Sequence, residues 1–169
     1  MSLDVEPCLI SYRRHGDDRG DFSTPFSPKT LSMLTLNEAY ISLSQSRSAH
    51  TIRGMHYQLA PFSEAKILTV LRGSIFDVLV DLRNSDNGER KVHTFELSAD
   101  RPEALFIPRG FAHGYQTLSD DTQILYALDS KYDLNSCAGY SPLSRGIVEL
   151  WPFKPSIIKE EDLKWPMLP

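Results

Sequence analysis

Cysteine is nearly absent from this chain. Two of 169 residues, Cys8 and Cys137, carry thiols, and they show neither metal nor redox spacing. The expectation is two free thiols in a cytoplasmic protein. Long apolar runs are missing as well: none reaches the roughly 20 residues that a membrane helix needs. The opening MSLDVEPCLI lacks a basic stretch followed by a long apolar one, so it does not read as a secretory signal. An excess of positive charge is missing too. The formal net charge is −4, and no basic run marks a nucleic-acid-binding face. A nucleotide ligand remains compatible with this balance. A pyrophosphate needs a few local arginines or backbone N–H groups, not a basic protein.

What is present is a globular composition, 41% hydrophobic and 24% charged. The length suits one domain spanning 1–169. No internal repeat, low-complexity tract or linker interrupts it. Prolines and glycines recur at intervals, as in a protein of many short strands. Helical periodicity is confined to 28–34 and to 156–165, the latter with Ser156 as a cap after Pro155. The clearest segment is AKILTVLRGSIFDVLVDLR, 65–83. Its two apolar runs flank Arg72-Gly73-Ser74, which reads as a hairpin turn. In the second run Phe76, Val78, Val80 and Leu82 share a uniformly apolar face, expected to pack between sheets. Ile75, Asp77, Leu79, Asp81 and Arg83 share the other. That second face points either to solvent or into a ligand cavity. Further strands are predicted at 51–58, 91–97, 104–107, 113–118 and 123–129. The sum is a mainly all-β protein, a sandwich or closed barrel.

Several residues carry candidate chemistry. In IRGMHYQ, strand alternation would send Gly54, His56 and Gln58 one way and Arg53, Met55 and Tyr57 the other. Gly54 would spare bulk beside His56 and let a ligand approach. Imidazole is the side chain most easily tuned as a base near neutral pH, although a lone strand histidine is ordinarily structural. In FIPRGFAHGYQ, a Pro108-Arg109-Gly110 turn precedes His113 and Gly114. Two histidines beside glycines point to a polar cavity. A metal site is not indicated, because it needs three or four ligands and no two histidines stand one residue apart. Tyr126 and Tyr132 are phenols able to donate a proton to a carbanion, or ordinary strand aromatics. Lys66 and Asp162 read, on their own, as surface charges.

Taken in order, RGMHYQ, the 65–83 segment, FIPRGFAHGYQ, the Tyr126/Tyr132 pair and Leu150-Trp151-Pro152 resemble the dTDP-4-dehydrorhamnose 3,5-epimerases, from about Asp18 to the C-terminus. The resemblance implies a cupin jelly roll, usually a homodimer, acting without metal or redox cofactor on a nucleoside-diphosphate sugar. It implies that His56 is the base, Asp162 its carboxylate partner, Lys66 the cation near the substrate carbonyl and Tyr126 the acid. Tyr132 is implied in handling the sugar, His113 in lining the site, and Arg19 and Arg53 in holding the diphosphate. Gln58, two residues beyond the base, is a further candidate for substrate binding. The pathway implied is deoxysugar biosynthesis of the lipopolysaccharide or O-antigen kind. The chain departs from the family pattern, most plainly at one position and one stretch. Thr24 stands where a Glu is usual, and Ser42-Leu43-Ser44-Gln45 replaces a stretch with Gln and Asn that meet the nucleotide. The implication is that the sugar chemistry is kept while the nucleotide is not fixed as dTDP. A non-catalytic sugar-nucleotide-binding cupin is the rival reading, and a metal-dependent cupin isomerase or dioxygenase a weaker one.

Overall fold

Short runs rich in Val, Ile, Leu and Thr favour extended backbone, and each such run needs a partner to satisfy its N–H and C=O groups. A computed structural model describes residues 5–35, 39–83 and 90–169. Its strands in chain order are β1 (Cys8–Ser11), β2 (Arg14–Asp17), β3 (Gly20–Ser23), β4 (Tyr40–Ser46), β5 (Thr51–Gln58), β6 (Lys66–Arg72) and β7 (Ser74–Asp81). They continue as β8 (Val92–Ser98), β9 (Glu103–Ile107), β10 (Phe111–Thr117), β11 (Thr122–Leu128), β12 (Cys137–Gly139) and β13 (Ile157–Ile158). The first sheet runs β1-β9-β6-β11-β4, and the second β12-β5-β10-β7-β8 with β13 also on β5. Hairpin β2–β3 pairs only with itself. Apart from the parallel β13–β5 contact, the pairing is antiparallel. Two packed antiparallel sheets of this kind form the jelly roll expected from the sequence.

The predicted hairpin at Gly73 is not one. β6 pairs with β9 and β11 in the first sheet, whereas β7 pairs with β10 and β8 in the second. Arg72-Gly73-Ser74 therefore carries the chain across from one sheet to the other. Gly73 has φ 77°, and a Cβ there would fall on the hydroxyls of Ser119 and Thr122. Two consecutive apolar runs around a glycine read alike for a hairpin and a crossover, because the local chemistry is the same.

The face of β7 expected between the sheets lies on the outer side, and the Asp77 face points inward, not to solvent. Ile75 and Leu79 pack between the sheets, with Leu97, Phe111 and Tyr115 from the second sheet and Leu68, Val70, Leu105, Ile107 and Ile124 from the first. Asp77 therefore faces the interior. Val78 and Val80 lie on the outer side of the second sheet, against Ile52, Met55, Ala112, Ile147 and Trp151. The C-terminal segment covers that side, so both faces of β7 are buried and alternation alone could not say which was inner. Each fully buried side chain of this size contributes roughly 1.5–3 kcal/mol of transfer free energy.

Helices are shorter than predicted. α1 is Pro28–Leu31, with the Ser27 hydroxyl accepting from the Thr30 N–H. α2 is Glu160–Lys164, four residues later than the expected start. Ser156 is not its cap: its hydroxyl donates to the Ala49 carbonyl, and β13 follows. No helix among the described residues is long and apolar enough to cross a membrane.

Candidate active site

β5 does not alternate as its sequence suggests. His113 and Tyr115 of β10 lie two residues apart and so on one face, yet their partners on β5, His56 and Arg53, are three apart. One extra residue on β5 makes a β-bulge. It turns Arg53 to the same side as His56 and leaves Ile52 and Met55 in the outer core. Gly54 serves this bulge and not a ligand. With φ 130°, a Cβ there would strike the Gly114 Cα and lie 2.8 Å from the His113 carbonyl oxygen. Gly114 in turn leaves room for the Met55 sulfur. The glycines beside both histidines let two backbones approach.

His56 and Asp162 meet across 106 residues of chain. His56 Nε2 lies 2.7 Å from Asp162 Oδ1, and Asp162 Oδ2 accepts from the Gly54 N–H at 3.3 Å. The Asp162 side chain is 6% exposed and that of His56 47%. Asp162 sits in the first turn of α2, where the free N–H groups favour a carboxylate. An ionised Asp162 holds the hydrogen on Nε2 and leaves the Nδ1 lone pair as the free basic position.

A second histidine–carboxylate pair lies beside it. His113 is the residue paired with His56 across the strands, and its Nε2 is 2.8 Å from Asp77 Oδ2. Here the side chains are 7% and 0% exposed, and Asp77 Oδ1 has no hydrogen-bond partner. The ring of Tyr126 stands edge-on to His113 at 6.4 Å, and that of Tyr115 is tilted at 6.2 Å. Burial pushes the Tyr126 phenol well above its ordinary range, and the neighbouring Tyr115 and Asp77 add to this against Arg53. Arg53 itself donates to Ser46 Oγ at 3.1 Å and to the Gln45 carbonyl at 2.8 Å.

Lys66 is buried and pairs with Glu64 at 2.8 Å. Glu64 Oε2 accepts from Gln58 Nε2 at 3.0 Å. Gln58 also donates to the Phe62 and Lys131 carbonyls and accepts from the Asp133 N–H. Its amide is thus occupied by protein groups, which makes it a tie between β5 and the loops around Lys66. Sequence reasoning missed Glu64, although its i, i+2 spacing to a strand lysine was a usable signal. Two candidates are not gathered with the rest. Arg19 is 90% exposed on the β2–β3 hairpin and pairs with Asp17. Tyr132 is 73% exposed, and its contact with Cys137 raises its phenol. A cavity of about 360 Å³ lined by Met33, Ala65, Phe106, Pro108 and Arg109 holds none of these groups.

The model of the dTDP-4-dehydrorhamnose 3,5-epimerase family matches residues 5–169. The chain belongs to that family. An enzyme of that name from Sinorhizobium fredii is 35% identical, over 99% of this chain and 88% of its own length. The crystal structure of the epimerase from Bacillus anthracis, with TDP and pyrophosphate bound, aligns with a TM-score of 0.87 at 31% identity, covering 99% of this chain and 97% of that one. The epimerase from Legionella pneumophila, in complex with dTDP-4-keto-L-rhamnose, aligns with a TM-score of 0.86 at 26% identity, covering 99% and 90%. Membership makes this chain an isomerase, and the jelly roll is the family's cupin fold.

Proposed function

We propose that the chain epimerises C3, C5 or both of a nucleoside-diphosphate 4-keto-6-deoxyhexose, with His56 as base and Tyr126 as acid. One observation carries this reading: the two groups stand on opposite walls. His56 is on β5 of the second sheet, and Tyr126 is on β11 of the first. Inversion needs a proton taken from one face of the sugar and returned to the other. A C4 ketone acidifies the hydrogens on C3 and C5. His56 removes one through Nδ1, and Asp162 stabilises the imidazolium that results. Lys66 stabilises the enolate oxygen, with Glu64 holding the ammonium in place. Tyr126, kept protonated by burial, returns a proton from the far side. The balance closes without a redox step, since the C–H pair becomes the enolate pair and then the new C–H bond.

Arg53, turned inward by the bulge, supplies charge for the diphosphate. Arg19 stands on a hairpin outside its own barrel, so its part in binding belongs to a homodimer in which it serves the neighbouring copy. The exposed apolar Ile41 and Leu43 on edge strand β4, and Phe22 on the hairpin, are surfaces such a dimer would cover. The inward side of β4 presents Ser42, Ser44 and Ser46, short groups that leave the nucleotide unspecified. The chain acts in the cytoplasm on a soluble sugar nucleotide, and residues 1–169 work as one domain.

Incubation with 4-keto-6-deoxy sugar nucleotides in D2O, followed by NMR, tests the proposal. Deuterium is expected at C3, C5 or both with the wild type and is abolished in His56→Ala. Exchange undiminished in the variant removes His56 as the base. Calorimetry against a panel of nucleoside diphosphates tests the base, and a clear preference for dTDP ends the idea of a different nucleotide.

A further inference from the structure

Tyr126 does not stand alone in the interior. Tyr115, on the facing strand β10, is 4% exposed and packs in the core between the sheets with Tyr126 against it. Its hydroxyl is 3.0 Å from Ser44 Oγ, and its ring and that of Tyr126 both stand beside His113, at 6.2 and 6.4 Å. Ser44 lies on β4, which pairs with β11 and sets Ser44 opposite Ile124. Tyr115 thus ties the edge strand to the core beside the phenol assigned as acid. A core phenylalanine would fill the site of Tyr115 equally well by volume. The hydroxyl adds nothing to that packing; a buried polar group costs free energy unless a partner repays it, and here Ser44 keeps it in place.

We infer that Ser44, Tyr115 and Tyr126 act as a line of hydroxyls in which Tyr115, anchored by Ser44, is a positioning residue for Tyr126 in proton return. Every hydroxyl in the line can turn. Before the reaction, Tyr126 donates to Tyr115 and is held protonated at a fixed place on its wall. When Tyr126 gives its proton to the enolate carbon, the O–H bond breaks and its electron pair stays on the phenolate oxygen. Tyr115 then turns its own O–H onto that oxygen, while Ser44 donates to the Tyr115 oxygen. No proton leaves the line in this turn; Tyr126 is recharged later from solvent. A buried phenolate with a charge-assisted hydrogen bond is a lower-energy product of proton transfer than one without.

The inference rests on the functional reading above, and one experiment separates the two. Tyr115→Phe keeps the ring and removes the hydroxyl. The variant is expected to lose about tenfold in kcat with KM within about twofold, the signature of an interaction made in the transition state. In D2O it should also change the partition of the enolate. Return from the His56 side gives deuterium without inversion, so the ratio of exchange to epimerised product should rise severalfold. Ser44→Ala should move both readouts in the same direction by less, and it supplies the test if Tyr115→Phe misfolds. An active wild type with an unchanged partition in both variants overturns the inference alone. A wild type inert toward every 4-keto-6-deoxy sugar nucleotide overturns the functional reading and the inference with it.

Discussion

Two histidine–carboxylate pairs sit on adjacent positions of neighbouring strands and differ in almost nothing except access. His56–Asp162 spans 2.7 Å and His113–Asp77 spans 2.8 Å. The first histidine is half-exposed, and its carboxylate arrives from a short helix at the far end of the chain. The second is enclosed, and its carboxylate comes from β7, the neighbouring strand. The same chemistry therefore has two uses. An open imidazole with one nitrogen fixed can take a proton from a ligand. A closed one ties β10 to β7 across the second sheet and presents its ring to Tyr126 on the facing wall.

The comparison is sharpest when each pair is cut. His56→Ala should leave the melting temperature nearly unchanged and reduce turnover by about 10²–10⁴-fold, the usual contribution of general base catalysis. Asp162→Asn belongs to the same experiment. An amide N–H turned to His56 Nε2 would move the imidazole hydrogen to Nδ1 and block the base, so a loss of about 10²-fold or more is expected without unfolding. Breaking the enclosed pair should do the reverse. His113→Ala strands Asp77 in the interior and is expected to destabilise the fold by about 3–5 kcal/mol in chemical denaturation. A His113→Ala protein as stable as the wild type would erase the distinction drawn between the pairs.

Gly54→Ala tests the bulge that sets both pairs on one face. A Cβ at φ 130° would strike the β10 backbone, with an expected loss of about 1–3 kcal/mol and a parallel fall in activity as His56 shifts. The smallest effect concerns Asp81, a carboxylate outside the site that serves as control. Burial would raise it, yet the hydrogen bonds and charge of Arg83 hold it below the ordinary carboxylate range. Its folded value is depressed, so its stabilisation is complete above about pH 4, the unfolded value, and fades as pH falls through the lower folded value. The melting difference between wild type and Asp81→Asn should therefore shrink below about pH 4 and be constant above it.

Much of the site was legible before the fold. The histidines stand in two motifs whose order is specific, and the family resemblance brought in Lys66 and Tyr126. The strand 51–58 is found where its alternation and flanking residues put it. Asp162 was not legible from its own surroundings, Glu160-Glu161-Asp162, where three acids look alike. Only the docking of α2 beside β5 selects the third of them. Edge strand β4, with the serines that anchor Tyr115 and Arg53, was missed as a strand, because its hydrophobic residues Ile41 and Leu43 face outward and its inward residues are small and polar.

The sequence by itself determined the class of fold, the places where strands form and the residue types available for proton transfer, because these depend on local backbone preference and side-chain chemistry. Tertiary structure alone decided the crossing at Gly73, the inner face of β7, the bulge that turns Arg53 inward and the choice between an open and a closed histidine. Those outcomes depend on which distant strand supplies the missing hydrogen bonds and which surface another segment covers, and neighbouring residues carry no record of either.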